Sequence, residues 1–388
     1  VLPYHPDLGG TVAGLPGQIW TNWSEAGGAP GMDDDGNGYV DDVHGWNFVD
    51  DSNDLTDRWG HGTLVAGIIA AKRDNEVGIA GINPGARIMV LKVSDDTHRP
   101  NTLGMYRAIH YAVDHGARVL NLSMGAPARS RLVQLAVNYA HLRGAVVVVA
   151  TGNTNADVHD YAPAGLRRVL AVGALGFEGQ RHALSNFGAN TGLLAPGEDI
   201  YSLHSQQAEW TGPSAERDRM YRAATGTSFA APIVAATASL LFAADPKRTN
   251  REVEALLLAT AKDLDQPGWD PMTGYGLLDA KAALSGDAKR AVVVFPTEVL
   301  ISRAGKKKVS AVDVYGVVAG ASSYEVSVGE GRNPSEWTPI ARGDRPIQFG
   351  LIGHVDGERF KGAKEWTIRI TATGADGTRR VADVPVSL

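Results

Sequence analysis

Six consecutive residues, Ala145-Val146-Val147-Val148-Val149-Ala150, form an apolar run with no polar alternation. A strand with one face in water alternates apolar and polar side chains; a strand covered on both faces does not. This run is therefore expected inside a sheet that carries helices on either side. Strand patterns also occur over 87–93, 118–123, 169–174 and 193–195, and helical patterns over 61–71, 102–115, 131–143 and 251–261. Strands interleaved with helices predict an α/β unit built on a doubly wound, mostly parallel sheet. The polar segment 285–290 breaks that rhythm. Beyond it, short alternating runs at 291–295, 308–314, 324–328, 347–352, 366–372 and 381–386, with Asp-Gly turns between them, predict a small C-terminal all-β sandwich. The expected domains are 1–287 and 291–388, a division that suits a chain of 388 residues.

Charge narrows the partners. The net charge is −6, which argues against a nucleic-acid partner. No uninterrupted run of 18 apolar residues occurs, so no membrane span is expected. The acids are concentrated: residues 1–57 hold eleven Asp and Glu and no Lys or Arg. That density without counter-charge invites bound cations. The chain has no Cys, so disulfides, thiolate metal sites and cysteine catalysis are excluded.

Three short stretches carry candidate chemistry. Gly226-Thr227-Ser228-Phe229-Ala230-Ala231-Pro232 opens an apolar helix and puts Ser228 near a helix N-terminus, where free N–H groups favour developing negative charge. The same pattern also suits an ordinary N-cap serine. Gly60-His61-Gly62-Thr63 starts a second helix, in which His61 is either a catalytic base or a half-buried histidine. Ala150-Thr151-Gly152-Asn153 follows the Val run at the carboxyl end of a parallel strand, where open α/β sheets place ligands, or forms a simple Gly-Asn turn.

Taken together, in the order His, Asn, Ser, these stretches resemble the His, oxyanion and Ser motifs of the subtilisin-like serine proteases over residues 1–285. The resemblance implies His61 as general base and then acid, Ser228 as nucleophile, and Asn153 with the Ser228 backbone N–H as oxyanion donors. It also implies a substrate-binding strand at Ser123, Met124 and Gly125, which would pair with an extended peptide. Ala150 and Gly152 would line the cleft, and Tyr161, beside Ala162-Pro163, would narrow the primary pocket. Polypeptide substrates, a monomer and a secreted location follow as expectations. An esterase is disfavoured, because Ser228 lacks the Gly-x-Ser-x-Gly elbow.

His5-Pro6-Asp7-Leu8 fixes the register of the resemblance, and by that register the family's catalytic Asp would stand three residues before Val1. The expectation is a chain that begins inside its domain, without the first strand, and is nearly inactive as given. The alternative is a catalytically inactive peptide-binding protein on the same fold.

Calcium is the expected cofactor, as one to three structural ions. Asp33, Asp35, Asn37 and Tyr39 stand at positions 1, 3, 5 and 7 of a calcium loop, with Gly38 at the sharp turn. His44 occupies the position of the usual Glu, so Asp42 or Asp41 would close the site. The resemblance implies a second site from Asp7, the Asn75 side chain and the carbonyls of Arg73, Val77 and Ile79. A third grouping is Asp50, Asn53, Asp54 and Asp57.

Overall fold

The computed structural model describes residues 1–9, 17–95, 100–205, 220–304, 308–360 and 362–388. After a short helix α1 (Trp23–Ala26) the chain runs β1 (Gly45–Asn47), α2 (His61–Ala70), β2 (Val90–Lys92), α3 (Thr102–Asp114), β3 (Val119–Leu122), α4 (Arg131–Leu142) and β4 (Val146–Ala150). Strands β5 (Leu170–Leu175), β6 (Thr191–Pro196), β7 (Ile200–Leu203) and β8 (Tyr221–Ala224) lead into helices α5 (Thr227–Ala244), α6 (Asn250–Ala259) and α7 (Ala280–Ser285).

Strands β3, β4, β5 and β6 form a parallel sheet in that order. Strand β4 shows why its sequence lacks alternation. Val146, Val148 and Ala150 pack with residues of α5 and α6, while Val147 and Val149 pack with residues of α3 and α4. Both faces are dry, and each buried Val contributes about 1.5–3 kcal/mol of transfer free energy. The small residues of α2 let it sit close to its neighbours: a Cβ at Gly67 would lie 2.4 Å from Leu203 and 2.5 Å from Ser202.

The sheet differs from the expectation in one respect. Strand β2 pairs with β1, and neither pairs with β3, so the parallel strands fall into two groups. A cavity of about 1130 Å³ separates them, walled by Val90 and Leu91 on one side, Leu120 and Leu122 on the other, and Ala235 and Phe242 from α5. Strand β1 lies in a region whose composition reads as loop, and the antiparallel pair β7–β8 was not expected either. Of the aromatics within residues 1–57, Trp46 and Phe48 are buried but Trp23 is largely exposed.

Among the described residues, the C-terminal part forms seven strands: β9 (Val293–Ala304), β10 (Lys308–Ala319), β11 (Ser323–Glu330), β12 (Thr338–Gly343), β13 (Ile347–Asp356), β14 (Glu365–Thr373) and β15 (Arg379–Ser387). They make two antiparallel sheets, ordered β13-β10-β9 and β12-β11-β14-β15. Strand β12 escaped the sequence pattern because it is a mostly exposed edge with Pro339 in it.

These sheets share one continuous apolar core with α5, α6 and the parallel sheet. Trp269, buried at the seam, donates its backbone N–H to the Val381 carbonyl and accepts from Asp383 N. The Tyr275 hydroxyl pairs with both backbone groups of Val294, and the Arg167 guanidinium pairs with Glu298.

Candidate active site

Helix α5 begins at Thr227, with Gly226 as its N-cap and no side-chain cap. Ser228 is therefore not a capping serine. Its hydroxyl donates instead to the Ser123 carbonyl at 3.1 Å. Its backbone N–H lies in the first helical turn, which has no intrahelical acceptor to offer it. Pro232 sits four residues on and supplies no N–H to the Ser228 carbonyl. The Ser123 hydroxyl takes that role, donating to Ser228 O at 2.7 Å.

Asn153 is held by the residue before the serine. Its side-chain oxygen accepts from Thr227 N and from Thr227 Oγ1, both at 2.9 Å. A backbone N–H can only donate, so the amide oxygen must face Thr227 and the amino group must point the other way. Asn153 is exposed, and its Nδ2 donates to no side chain or carbonyl among the described residues. Gly226 makes this approach possible. Its φ is +153°, and a Cβ there would lie 3.1 Å from Asn153 Nδ2. Behind the loop, buried Asn186 accepts from Thr154 N and Ala156 N and donates to the Thr151 carbonyl, which fixes the turn after β4.

His61 is the first residue of α2. The start of that helix is set by Gly60, with φ +85°, and by Asp57. The Asp57 carboxylate accepts from Gly60 N at 2.7 Å, Thr63 N at 2.8 Å and Thr63 Oγ1 at 2.7 Å. Burial works to raise the Asp57 carboxyl, but the Val1 ammonium and the bonds from Thr63 and Gly60 outweigh it and hold it at about 2. Asp57 thus caps the start of α2 as an anion. The His61 ring lies flat against Trp59, with centroids 4.9 Å apart, and 5.6 Å from the Phe229 ring that follows the serine.

The structure brings His61, Ser228, Asn153, Ser123, Met124, Gly125, Ala150, Gly152 and Tyr161 onto the wall of one cavity. Ala126 pairs with Ala162 through both backbone bonds, so the segment Ser123–Gly125 that follows β3 is braced on one side by the segment after Tyr161. A Cβ at Gly125 would lie 3.3 Å from the Ala162 carbonyl, a contact glycine avoids. Tyr161 is half-buried and its hydroxyl bonds to Thr154 Oγ1.

The acidic loop closes differently from the sequence reading. The carboxylate oxygens of Asp33, Asp35 and Glu25 lie within 4.8 Å of one another. Glu25, on α1, was missed because no loop spacing points to it; its side chain is buried and accepts from Asp34, Asp35 and Asp41 N–H groups. Asp42 lies outside that cluster. It is fully buried and accepts from Asn22 Nδ2, Asn37 Nδ2 and the Tyr111 hydroxyl; burial, together with this contact, raises the Tyr111 pKa. The Asn37 side-chain oxygen accepts from Tyr39 N at 2.7 Å, and the Tyr39 ring packs among Trp46, Phe48 and Tyr111. Three hard carboxylates converging in a region with no Lys or Arg fit a hard, oxygen-seeking divalent cation.

At the second grouping, Asp7 is fully buried and accepts from Asn75 Nδ2 at 2.8 Å and Ile79 N at 2.9 Å. The structure thus gathers Asp7, Asn75 and Ile79, but Ile79 presents its N–H to the carboxylate. Val77, exposed, donates its N–H to Asn75 Oδ1 at 3.3 Å.

The sequence model of the subtilase family, Peptidase S8, matches residues 1–276. Among curated relatives, the thermophilic serine proteinase of Bacillus sp. strain AK1 is 38% identical over 226 residues, covering 58% of this chain and 53% of that protein. Thermitase of Thermoactinomyces vulgaris is 35% identical over 226 residues, covering 58% of this chain and 76% of its own. The chain thus spans about half the length of the first relative and three quarters of the second. A crystal structure described as a lanthipeptide protease superposes with a TM-score of 0.56 at 26% identity, covering 62% of this chain and 80% of that one.

Proposed function

The chain belongs to the subtilase family, and from that membership we propose that it is a calcium-stabilised serine endopeptidase, monomeric and acting outside the cell on polypeptides. The observation that supports the reading is Asn153: Thr227, the residue before Ser228, occupies its side-chain oxygen and leaves its amino group free to donate, on the wall of a cavity that Ser228 and His61 also line.

In the proposed reaction an extended peptide adds its backbone to Ser123–Gly125 and lays a carbonyl at Ser228. Ser228 Oγ leaves its bond to Ser123 O and attacks the carbonyl carbon while His61 accepts the hydroxyl proton. The C–O bond forms and the carbonyl electron pair moves to oxygen, where Asn153 Nδ2–H and Ser228 N–H donate to it. Collapse breaks the C–N bond, and His61 returns the proton to the departing amine. Water then repeats the sequence on the acyl-enzyme and releases the acid.

Residues 1–287 are read as the peptidase domain and 291–388 as a β-sandwich accessory domain. Calcium at Glu25, Asp33 and Asp35 would be structural, and the millimolar calcium found outside cells would fill even a weak site.

An organophosphorus fluoride tests the reading. One covalent adduct should accumulate on Ser228 and be absent from Ser228→Ala. Equal labelling of both proteins, or none at Ser228 after prolonged exposure, would overturn it.

A further inference from the structure

Trp59 stands two residues before His61 and is 48% exposed, although large apolar side chains gain from burial. The helix start does not require it, since Gly60 and Asp57 set the first turn of α2. Its indole lies nearly parallel to the imidazole, with an interplanar angle of 12° and a centroid separation of 4.9 Å. Phe229 meets the same imidazole at 5.6 Å and 51°. One aromatic therefore lies along the ring and another leans on it.

We propose that Trp59 is a positioning residue for His61: its indole face holds the imidazole in plane and stabilises the protonated ring that forms during catalysis. The proposal rests on the serine-protease reading for its purpose and on the stacked geometry for its physics. An indole face attracts a cation through its quadrupole, and the attraction is weaker when the pair is partly solvated. A ring that alternates between neutral and cationic forms is the group such a surface serves best. Stacking also restricts rotation about the side chain, which a base must not squander between proton transfers.

Among the described residues, the other charged and titratable groups around this corner are Asp57 and Arg58 of the preceding loop, the Val1 amino group, Lys92 at the end of β2, Asp95 after it, and His204 beside Gly60, with Arg222 against it. All are retained in Trp59 variants, so a change in His61 behaviour reports the indole.

The test is an NMR titration of the His61 ring, assigned with His61→Ala, in the full chain and in Trp59→Ala, Trp59→Leu and Trp59→Phe. Trp59→Ala and Trp59→Leu should titrate at lower pH than the parent by about half a unit, with Trp59→Phe between. Leu covers the ring without a π face, so a parent-like midpoint in Trp59→Leu would reduce Trp59 to packing and overturn the proposal. An unmoved midpoint in Trp59→Ala would do the same. The titration needs no turnover. Failure of Ser228 to label while the midpoint shifts would therefore indict the protease reading alone, and normal labelling with an unmoved midpoint would indict Trp59 alone.

Discussion

Ser123 and Ser228 hold each other through two hydrogen bonds, Ser123 Oγ to Ser228 O at 2.7 Å and Ser228 Oγ to Ser123 O at 3.1 Å. The first replaces the helical bond that Pro232 cannot make, and so ties the binding strand to the nucleophile's backbone. Ser123→Ala would leave the Ser228 carbonyl without that donor. It is expected to cost about 1–3 kcal/mol of stability and to slow labelling of Ser228. Denaturant unfolding and labelling rates read the two effects; a variant with parent values for both would show that the bond is incidental.

The carboxylates of Glu25, Asp33 and Asp35 repel one another unless a cation or a proton intervenes. Calcium is expected to raise the melting temperature and excess EDTA to lower it. Glu25→Gln should shrink the calcium-dependent gain, because binding to the folded state stabilises it by mass action. Superimposable melting curves with calcium and with EDTA would remove the metal from the account.

His141 and Glu254 lie 3.9 Å apart against the C-terminal strands. Burial pushes Glu254 up to about 8, opposed by Arg251. Burial, with Arg168 and Arg251, pushes His141 down to about 4. A raised carboxyl gives stability that is complete below its unfolded value, about 4.3, and is lost as pH rises through the folded value. A depressed histidine does the reverse: its neutral folded form loses stability as pH falls from about 6.5 toward the folded value. The two slopes oppose each other between about pH 4.5 and 6.5, and Glu254 alone acts from about 6.5 to 8. Stability should therefore fall over that upper window by at most about 1.4 kcal/mol per pH unit, and Glu254→Gln should flatten it. Equal slopes in parent and variant would refute the assignment.

The C-terminal sheets and the parallel sheet share a core, so they should unfold together. Trp269→Ala, at the seam, is expected to cost about 3–5 kcal/mol and to lower a single transition. Two separate transitions in the parent protein, with the C-terminal strands melting first, would contradict a common core.

Much of this was legible in the chain. Strand β4 and helices α3 and α4 declare themselves because their burial is complete or strictly periodic. The residues of the candidate site were legible as motifs, since each needs a particular residue at a helix start or strand end. What escaped depends on partners distant in sequence. Strand β1 is three residues that become a strand only against β2. Glu25 joins Asp33 and Asp35 through the turn of the chain, and Asp42 leaves them because Tyr111, on α3, draws it inward. The polar segment 285–290 reads as a linker, yet Val292 to Phe295, just beyond it, are buried in the common core.

The most direct measurement is a crystal structure of the phosphonylated protein. The account requires phosphorus bonded to Ser228 Oγ, with the phosphoryl oxygen about 3 Å from both Asn153 Nδ2 and Ser228 N. An adduct on another residue, or a phosphoryl oxygen turned away from Asn153 into solvent, would contradict it.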